Sequence, residues 1–325
     1  MKEAGYYKKL SSRKVQCLLC PHFCVIDRDE TGKCRSRQNI AGILYAVNYG
    51  KTMAVSLDPM EKKPLYHFYP GASILSLGPN SCNFSCAFCQ NYTSSQQKVP
   101  TRDITSEDIV KICIKNKTEF VAFTYTEPFT WFEFLLDAAD VLKEKNLKIV
   151  LVTNGYINPE PLQELLPYVD AMNIDLKSMD ESFYRQICGG SLQPVLKTIR
   201  SAADKCHLEV TNLLVTDEND SEDNIRRLVD FMQSVNPEIP LHFSRYYPTY
   251  KMSNPPTPPD RLERAREIAV SRLSYVYLGN ILTNRNTYCP QCNTLLIERD
   301  YSVDGHLING KCPSCSKKIY GEFPA

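Results

Sequence analysis

The sequence predicts an α/β protein built around a partial (β/α)6, TIM-like barrel, with a small cysteine-rich segment on either side. Two observations carry this prediction. Between residues 71 and 284, short β-branched runs alternate with amphipathic stretches, as in parallel strands connected by helices. Polar residues and cysteines follow several of these runs, and the carboxyl ends of barrel strands are where this architecture carries its chemistry. A doubly wound sheet is the alternative.

The predicted elements follow one another regularly along the chain. Strands are expected at residues 74–78, 120–125, 148–153, 171–176, 207–215, 240–244 and 275–279. Helices are expected at residues 106–117, 130–145, 161–166, 180–188, 193–205, 221–235 and 259–271, the first of them capped by Thr105. We therefore divide the chain into an N-terminal Cys-rich extension (1–70), a barrel (71–284) and a small C-terminal module (285–325).

Composition and charge exclude several classes of function. The chain has 325 residues, of which 43% are hydrophobic, so it can bury a substantial core. Its 38 Lys and Arg nearly balance its 37 Asp and Glu, which leaves no electrostatic basis for binding nucleic acid or an anionic membrane. No apolar run is long enough to span a membrane, and the first residues lack a signal-peptide pattern. We expect a cytoplasmic protein.

Fourteen cysteines are unusual for such a protein. Reducing cytosol disfavours disulfides, which leaves metal binding as the main reason to cluster cysteines. Eleven form three clusters, namely Cys17, Cys20, Cys24 and Cys34; Cys82, Cys86 and Cys89; and Cys289, Cys292, Cys312 and Cys315. The other three, Cys113, Cys188 and Cys206, are interpreted as small buried hydrophobic residues without a further role.

The central cluster has the spacing Cys82-x3-Cys86-x2-Cys89, directly after the first predicted barrel strand. Three thiolates in one short loop can bind three corners of an iron–sulfur cube, and no fourth cysteine follows closely enough to complete the set. One iron would then stay open for an exogenous ligand. A zinc site completed by a distant histidine is the weaker alternative, because this spacing and loop position are unusual for zinc.

This loop, with Phe88 just before the third cysteine, resembles the signature of radical SAM enzymes. The resemblance implies that Cys82, Cys86 and Cys89 hold a [4Fe–4S] cluster whose open iron binds S-adenosylmethionine (SAM). It also implies reductive cleavage of SAM to a 5′-deoxyadenosyl radical, which abstracts hydrogen from a substrate. Phe88 would pack on the adenine of SAM or wedge the loop against the core.

The resemblance extends to residues at later strand ends. Glu127 resembles the acidic residue that accepts a hydrogen bond from the methionine amino group of SAM. Asn154, Asp175 and Lys177 resemble polar residues near the methionine carboxylate and the ribose, and a Lys177 ammonium oriented by Asp175 would face that carboxylate. His242 belongs to a further matching motif and is counted among the predicted cofactor-binding residues.

Motifs along nearly the whole chain resemble, more narrowly, the AmmeMemoRadiSam-system radical SAM proteins, relatives of pyruvate formate-lyase activating enzyme. These motifs are Cys17-x-x-Cys20-Pro21-His22-x-Cys24, the pair Gln90-Asn91 after the central cluster, and the segment 242–252. The resemblance implies a reductase such as flavodoxin or ferredoxin as electron-donating partner. The N-terminal cysteines and the C-terminal module depart from the simplest activating enzymes.

The two flanking clusters predict further metals. Two Cys-Pro-x-Cys pairs, separated by 19 residues, predict a C-terminal zinc-ribbon-like module held by Cys289, Cys292, Cys312 and Cys315, with hairpin strands at 295–299 and 307–311. A rubredoxin-like iron site is the alternative. For Cys17, Cys20, Cys24 and Cys34 we prefer a structural metal such as zinc over an auxiliary iron–sulfur cluster, and His22 could replace one of them.

Three hypotheses for function follow from these residues. The favoured one is a radical SAM enzyme acting on a peptide or protein, because a zinc ribbon is a common interaction module and an open barrel mouth could accept an extended chain. A radical SAM enzyme acting on a small molecule would use the same residues. A non-catalytic zinc-ribbon binding protein is the third hypothesis, disfavoured by the net charge of +1 and the single Trp.

Overall fold

The N-terminal part of the chain forms two small antiparallel sheets. In the computed structural model, which describes residues 1–324, one sheet has the order β1-β6-β5 and the other β2-β3-β4. The strands of this part are β1 (Lys2–Glu3), β2 (Tyr7–Lys9), β3 (Val15–Cys17), β4 (Val25–Ile26), β5 (Arg37–Ile40), β6 (Ile43–Ala46), β7 (Lys51–Thr52) and β8 (Ala54–Pro59). Short 3-10 helices lie at Ser11–Arg13 and Met60–Lys62.

A mostly parallel eight-stranded sheet organises the rest of the molecule. Its strands are β9 (Ser73–Gly78), β11 (Phe120–Phe123), β12 (Lys148–Thr153), β13 (Ala171–Asp175), β14 (His207–Leu214), β15 (Leu241–Arg245) and β16 (Val276–Gly279), together with β8. The order β16-β15-β14-β13-β12-β11-β9-β8 is parallel except for β8, which pairs antiparallel with β9. The short β10 (Arg102–Asp103) pairs with β7 outside this sheet.

Helices connect successive strands of the sheet. They are α1 (Tyr92–Gln96), α2 (Ser106–Asn116), α3 (Phe132–Glu144), α4 (Pro159–Leu165), α5 (Glu181–Phe183), α6 (Leu192–Ala203), α7 (Glu222–Val235) and α8 (Pro259–Val270). Thr105 caps α2 through a reciprocal capping box with Asp108, and the Ser221 hydroxyl accepts a hydrogen bond at the start of α7. Single 3-10 turns lie at Pro128–Trp131 and Leu166–Tyr168, and a π-helical turn at Tyr184–Cys188 follows α5.

The prediction of an α/β fold with a parallel sheet is confirmed. All seven predicted strands are present, and their order runs in one direction, without the reversal that marks a doubly wound sheet. Runs such as Phe120–Phe123 are buried along their whole length, as parallel strands covered on both faces must be. One strand of this eight-stranded sheet was not predicted: Ala54–Pro59, within the segment assigned to the N-terminal extension, pairs with β9.

The C-terminal part forms a small antiparallel sheet of β17 (Thr287–Tyr288), β18 (Leu295–Arg299) and β19 (Val303–Gly305). The prediction of a strand at 295–299 is confirmed, but its partner is β19 and not the predicted strand at 307–311. In that segment Asn309 and Gly310 both have positive φ, and Ile308 and Lys311 form an isolated bridge. Two consecutive left-handed residues form a tight turn, which is why an extended strand was wrong here.

Across residues 1–324, every helix is too short or too polar to cross a membrane.

Candidate active site and metal centres

The three central cysteines line one cavity at the carboxyl edge of the sheet. The loop that carries them leaves β9, and Cys82, Cys86 and Cys89 all contribute to the wall. The cavity measures about 240 Å³, far more than the roughly 30 Å³ that one water occupies. Strand ends supply the opposite wall, and the lining also includes Phe84, Phe88, Gln90, Asn91, Ser95, Tyr125, Thr126, Asn154, Asp175, Lys177, Thr211, Leu213, Ser244 and Asn280.

Backbone hydrogen bonds hold the cysteine loop in place. Ser85 N donates to Cys188 O and Ala87 N to Ile187 O, each at 2.9 Å, so the loop lies on the π-helical turn after α5. The Cys188 side chain is fully buried and lies close enough to Cys86 for the two thiols to shift each other's pKa. A single cysteine about 100 residues from the cluster shows no spacing pattern, so the sequence does not predict that Cys188 lies beside Cys86.

Lys177 and Asp175 meet at the cavity wall as the sequence analysis expected. Lys177 Nζ lies 3.1 Å from Asp175 Oδ2 and 5.7 Å from the centroid of the Phe88 ring. Burial alone would lower the pKa of Lys177, but the Asp175 carboxylate and the Cys86 thiol raise it well above its usual value. Phe88 is buried and also packs against Phe183. The cavity therefore contains a permanently charged ammonium beside an aromatic ring.

Asn154 reaches the cavity, whereas Glu127 lies behind its wall. Asn154 Nδ2 donates to Asn83 Oδ1 at 2.8 Å and lies 3.8 Å from Cys82 Sγ. The Glu127 carboxylate is fully buried and accepts hydrogen bonds from Thr153 Oγ1 (2.7 Å), Asn154 N (2.8 Å) and Phe129 N (3.0 Å). Burial raises its pKa to about 7. Glu127 thus supports Asn154 from behind and is not among the residues that line the cavity.

The structure does not bring His242 to the cysteine cavity. Its Nε2 lies 2.6 Å from Glu209 Oε2, its ring stacks on Tyr277, and it is buried. It lines a neighbouring cavity, whose wall shares three residues, Thr211, Ser244 and Asn280, with the cysteine cavity. His242 therefore lies on β15 in a neighbouring cavity and not in the cysteine cavity.

The four C-terminal cysteines converge on one point. The sulfurs of Cys289, Cys292, Cys312 and Cys315 all lie within 4.8 Å of one another. Two pairs, Cys289 with Cys315 and Cys292 with Cys312, are 3.5 Å apart. A tetrahedral ion with metal–sulfur bonds of about 2.3 Å would bring its ligands to about 3.8 Å from one another, so this set fits a single metal ion.

The four N-terminal cysteines also share one cavity. It is lined by Cys17, Cys20, Cys24 and Cys34, with His22, Arg37 and Asn83 in the same wall. Cys17 and Cys34 are buried, and Cys20 and Cys24 are partly exposed. Of the three cysteines outside the clusters, Cys113 is fully buried among apolar side chains, as predicted, whereas Cys206 is only half-buried.

Comparisons with known proteins agree with this arrangement. Residues 78–232 match the sequence profile of the Radical SAM superfamily. Uncharacterized protein MJ0808 of Methanocaldococcus jannaschii is 44% identical, over 98% of this chain and 99% of its own. Pyruvate formate-lyase-activating enzyme of Clostridium pasteurianum is 24% identical, over 47% of this chain and 67% of its own. A radical SAM methyltransferase from Sphaerobacter thermophilus has a similar fold, with a TM-score of 0.51 and 15% identity over 65% of this chain and 67% of that one.

Proposed function

Because this chain belongs to the radical SAM superfamily, we propose that it cleaves SAM at the cavity lined by Cys82, Cys86 and Cys89 and abstracts hydrogen from a peptide or protein. Members of this superfamily are enzymes, so the chain is an enzyme and the hypothesis of a non-catalytic zinc-ribbon binding protein is excluded. The superfamily also implies a [4Fe–4S] cluster and SAM as its cofactors. What remains to be proposed is which residues bind them and what the substrate is.

One observation carries the assignment of the site. Three thiols from a single loop and polar groups from two other strand ends, those of β12 and β13, line the same cavity. Among residues 1–324, only the C-terminal set brings three or more Cys, His, Asp or Glu ligand atoms together as a single ion requires, so the central thiols are not a single-ion site of that kind. In a [4Fe–4S] cluster, each thiolate binds a different iron at a corner of the cube. Three thiols that do not converge on one point can therefore hold three of its irons.

The residues around the thiols fit SAM. A cluster held here would supply an electron to SAM, whose reductive cleavage yields methionine and a hydrogen-abstracting 5′-deoxyadenosyl radical. The Lys177 ammonium would pair with the methionine carboxylate, and Asp175 keeps it oriented. Asn154 presents its amide beside Cys82, and Phe88 offers an apolar face to the adenine. Glu127 acts as a positioning residue, because it holds the backbone of Asn154.

Two observations support the proposal that the substrate is a peptide or protein. The similar protein from Clostridium pasteurianum is named for the activation of another enzyme, pyruvate formate-lyase. In this chain, Gln90, Asn91 and Asn280 line the cavity with side-chain amides that can hydrogen-bond to peptide groups. A stacked Tyr92–Tyr250 pair lies beside Gln90 and Asn91, with ring centroids 4.5 Å apart. These side chains suit an extended chain laid across the mouth.

Further parts of the proposal concern the whole chain. The uniform strand order supports a sheet that curves as a partial barrel, with residues 1–70, 71–284 and 285–325 as extension, barrel and C-terminal module. The converging sulfurs of the C-terminal set support zinc there. A flavodoxin or ferredoxin is the class of one-electron donor that we expect to reduce the enzyme.

The reaction is tested by anaerobic reconstitution with iron and sulfide, followed by dithionite and SAM. We expect slow release of 5′-deoxyadenosine without substrate from the wild type, and none from Cys86→Ala. A wild-type protein that keeps an intact cluster under strong reduction and yet releases none would contradict the proposal.

The substrate class is tested with an extract of the organism that encodes the enzyme, divided by ultrafiltration. The retained macromolecular fraction is expected to accelerate 5′-deoxyadenosine release, and protease treatment is expected to abolish that effect. Acceleration by the small-molecule filtrate alone would favour the alternative of a small-molecule substrate.

A further inference from the structure

The four N-terminal cysteines lie in two turns that face each other across one cavity. Phe23 and Arg35, the neighbours of Cys24 and Cys34, both have positive φ, which lets each chain segment reverse next to a cysteine. Cys17 N donates to Cys24 O at 2.9 Å, which closes the first turn. The backbone thus presents all four thiols to a common space.

His22 is occupied by other partners and does not complete the ligand set. Its Nε2 lies 2.7 Å from the backbone oxygen of Asn83, to which it donates a hydrogen bond. Its Nδ1 lies 3.5 Å from Lys33 Nζ. Both ring nitrogens therefore have protein partners, and the four cysteines remain as the ligands.

The spacing of these sulfurs differs from that of the C-terminal set. The C-terminal sulfurs all lie within 4.8 Å of one another, as a single tetrahedral ion requires. The N-terminal sulfurs line one cavity, but among residues 1–324 only the C-terminal set brings three or more such ligand atoms together as a single ion requires. An iron–sulfur cluster binds each thiolate through a different iron atom and therefore accommodates sulfurs that lie further apart than the ligands of one ion.

A buried arginine indicates the charge of that group. Arg37 is 1% exposed and lines the cavity, and the thiols of Cys17 and Cys34 lie close enough to interact with its charge. Its Nη1 donates to Glu133 Oε2 at 2.6 Å, but its Nε and Nη2 have no hydrogen-bond partner. Buried N–H groups of a guanidinium are costly to leave unpaired, so they call for an anionic acceptor.

We propose that Cys17, Cys20, Cys24 and Cys34 bind a second iron–sulfur cluster of the [4Fe–4S] type, with the free N–H groups of Arg37 directed at its sulfurs. A cluster bound by four thiolates carries net negative charge and leaves no open iron, so it would not bind SAM. This assignment replaces the structural metal that the sequence analysis preferred, and it does not depend on the SAM chemistry proposed above.

The test is a metal count on the full-length protein after anaerobic reconstitution. Wild type is expected to hold about eight iron atoms, from two [4Fe–4S] clusters, and one zinc per chain. Cys20→Ser with Cys24→Ser, a pair chosen because both residues are partly exposed, should lose half of the iron and keep the zinc. Cys206→Ser, a half-buried cysteine outside every cluster, should change neither count.

A second variant keeps the test decisive if the Cys20 and Cys24 variant fails to fold. Replacing Cys82, Cys86 and Cys89 with Ala should leave about four iron atoms per chain, with an electron paramagnetic resonance signal of the reduced cluster that SAM does not alter. Absence of iron from this triple variant would overturn the proposal. So would a wild type with about four iron and two zinc atoms, or loss of zinc from the Cys20 and Cys24 variant.

Discussion

At the scale of single residues, the Lys177 ammonium gives the cavity wall a positive charge that acts on any charged ligand. Its ammonium is held by Asp175 on one side and by the face of Phe88 on the other. Burial would lower its pKa, but Asp175 and Cys86 raise the pKa well above its usual value, so the ammonium is charged at neutral pH. A fixed positive charge in a largely buried wall favours an anionic group in the cavity, such as the methionine carboxylate of SAM.

We expect Lys177→Met to weaken SAM binding about tenfold or more, because a hydrogen bond to a charged group contributes roughly 1.5–3 kcal/mol. Equilibrium dialysis of the reconstituted protein measures the Kd. Asp175→Asn is the matched control and should weaken binding less, since the ammonium remains. An unchanged Kd in a Lys177→Met protein with wild-type iron content and Tm would contradict the role of Lys177.

Glu127 is expected to act mainly through folding. Removing its carboxylate leaves the hydroxyl of Thr153 and the backbone N–H groups of Asn154 and Phe129 without their acceptor. We expect Glu127→Leu to lower the free energy of unfolding by about 3 kcal/mol or more, measured by urea denaturation. Glu127→Gln keeps one acceptor oxygen and should cost less. If Glu127→Leu unfolds like the wild type and only loses SAM affinity, the positioning role is wrong.

These residues also show what the sequence can reveal at this scale. The three central cysteines could be predicted because they share one loop, and Lys177 with Asp175 because they follow one strand. The contact of Cys188 with Cys86 joins segments about 100 residues apart and leaves no local pattern. The orientation of the Glu127 side chain could not be predicted either. The strand end fixes the position of its backbone, but hydrogen bonds with neighbouring groups fix where the carboxylate points.

At the scale of elements, the cysteine loop depends on the turn that follows α5. Gly189 and Gly190 lie directly after the π-helical segment and face Phe84 and Ser85 of the loop. A Cβ at Gly190 would lie 2.2 Å from Phe84 Cε1, so any larger residue must push the loop away. Such π-helical turns occur often at functional sites.

We expect Gly190→Ala to destabilise the protein by about 1–3 kcal/mol, the usual cost of overpacking, and to reduce the iron incorporated at the loop. Thermal unfolding and iron analysis measure the two effects. Gly5→Ala is the matched control, because a Cβ there meets no atom within 4 Å. Equal iron content and stability in both variants would show that the loop does not depend on this contact.

We expect the C-terminal sheet to depend on a bound metal more than on its own apolar core. Its cysteines converge on one point, and its apolar cluster is small and shared with Tyr66, Tyr275 and Tyr277 of other segments. We expect Cys289→Ser to lose one zinc and to lower the Tm, while the cluster at the central loop persists. Elemental analysis and calorimetry measure both changes. An unchanged zinc content would contradict the site.

The helices and strands that the sequence predicted best are those with the most regular hydrophobic pattern. The parallel strands and long helices follow regular patterns, and the structure contains them near the expected bounds. The strand β8 was missed because it is an exposed edge strand, with the burial of its residues set by the neighbour that it joins. The predicted helix at 180–188 divides into α5 and a π-helical turn, a change of pitch that hydrophobic spacing does not reveal.

At the scale of the whole molecule, three segments meet around the buried imidazole of His67. Its Nδ1 donates to the backbone oxygen of Tyr320 at 2.7 Å, and its Nε2 lies 2.6 Å from the hydroxyl of Tyr277. His67 N donates to Glu209 Oε1 at 2.7 Å. Polar contacts thereby join the segment around His67, the strands β14 and β16 of the main sheet and the C-terminal end of the chain, and no local sequence pattern predicts these contacts.

His67 should make this junction sensitive to acid. Burial lowers its pKa to about 3, whereas the unfolded chain binds a proton near the ordinary value of about 6.5. Between those values the unfolded state holds a proton that the folded state lacks, so stability falls as the pH falls through that window. The depressed pKa of Glu209 adds a further loss only below about pH 4.5, the ordinary range of a glutamate.

Glu127, whose pKa burial raises to about 7, also titrates between pH 6.5 and pH 5 with the opposite effect on stability, so the share of His67 is the difference between the wild type and a His67 variant. There we expect the wild type to lose up to about 1.4 kcal/mol of unfolding free energy per pH unit on account of His67, and His67→Gln to lose correspondingly less. Urea denaturation of the two metal-loaded proteins at each pH measures the difference, in which contributions from the cysteine sites cancel. Parallel stability curves for the two proteins would show that His67 titrates alike in the folded and unfolded chains.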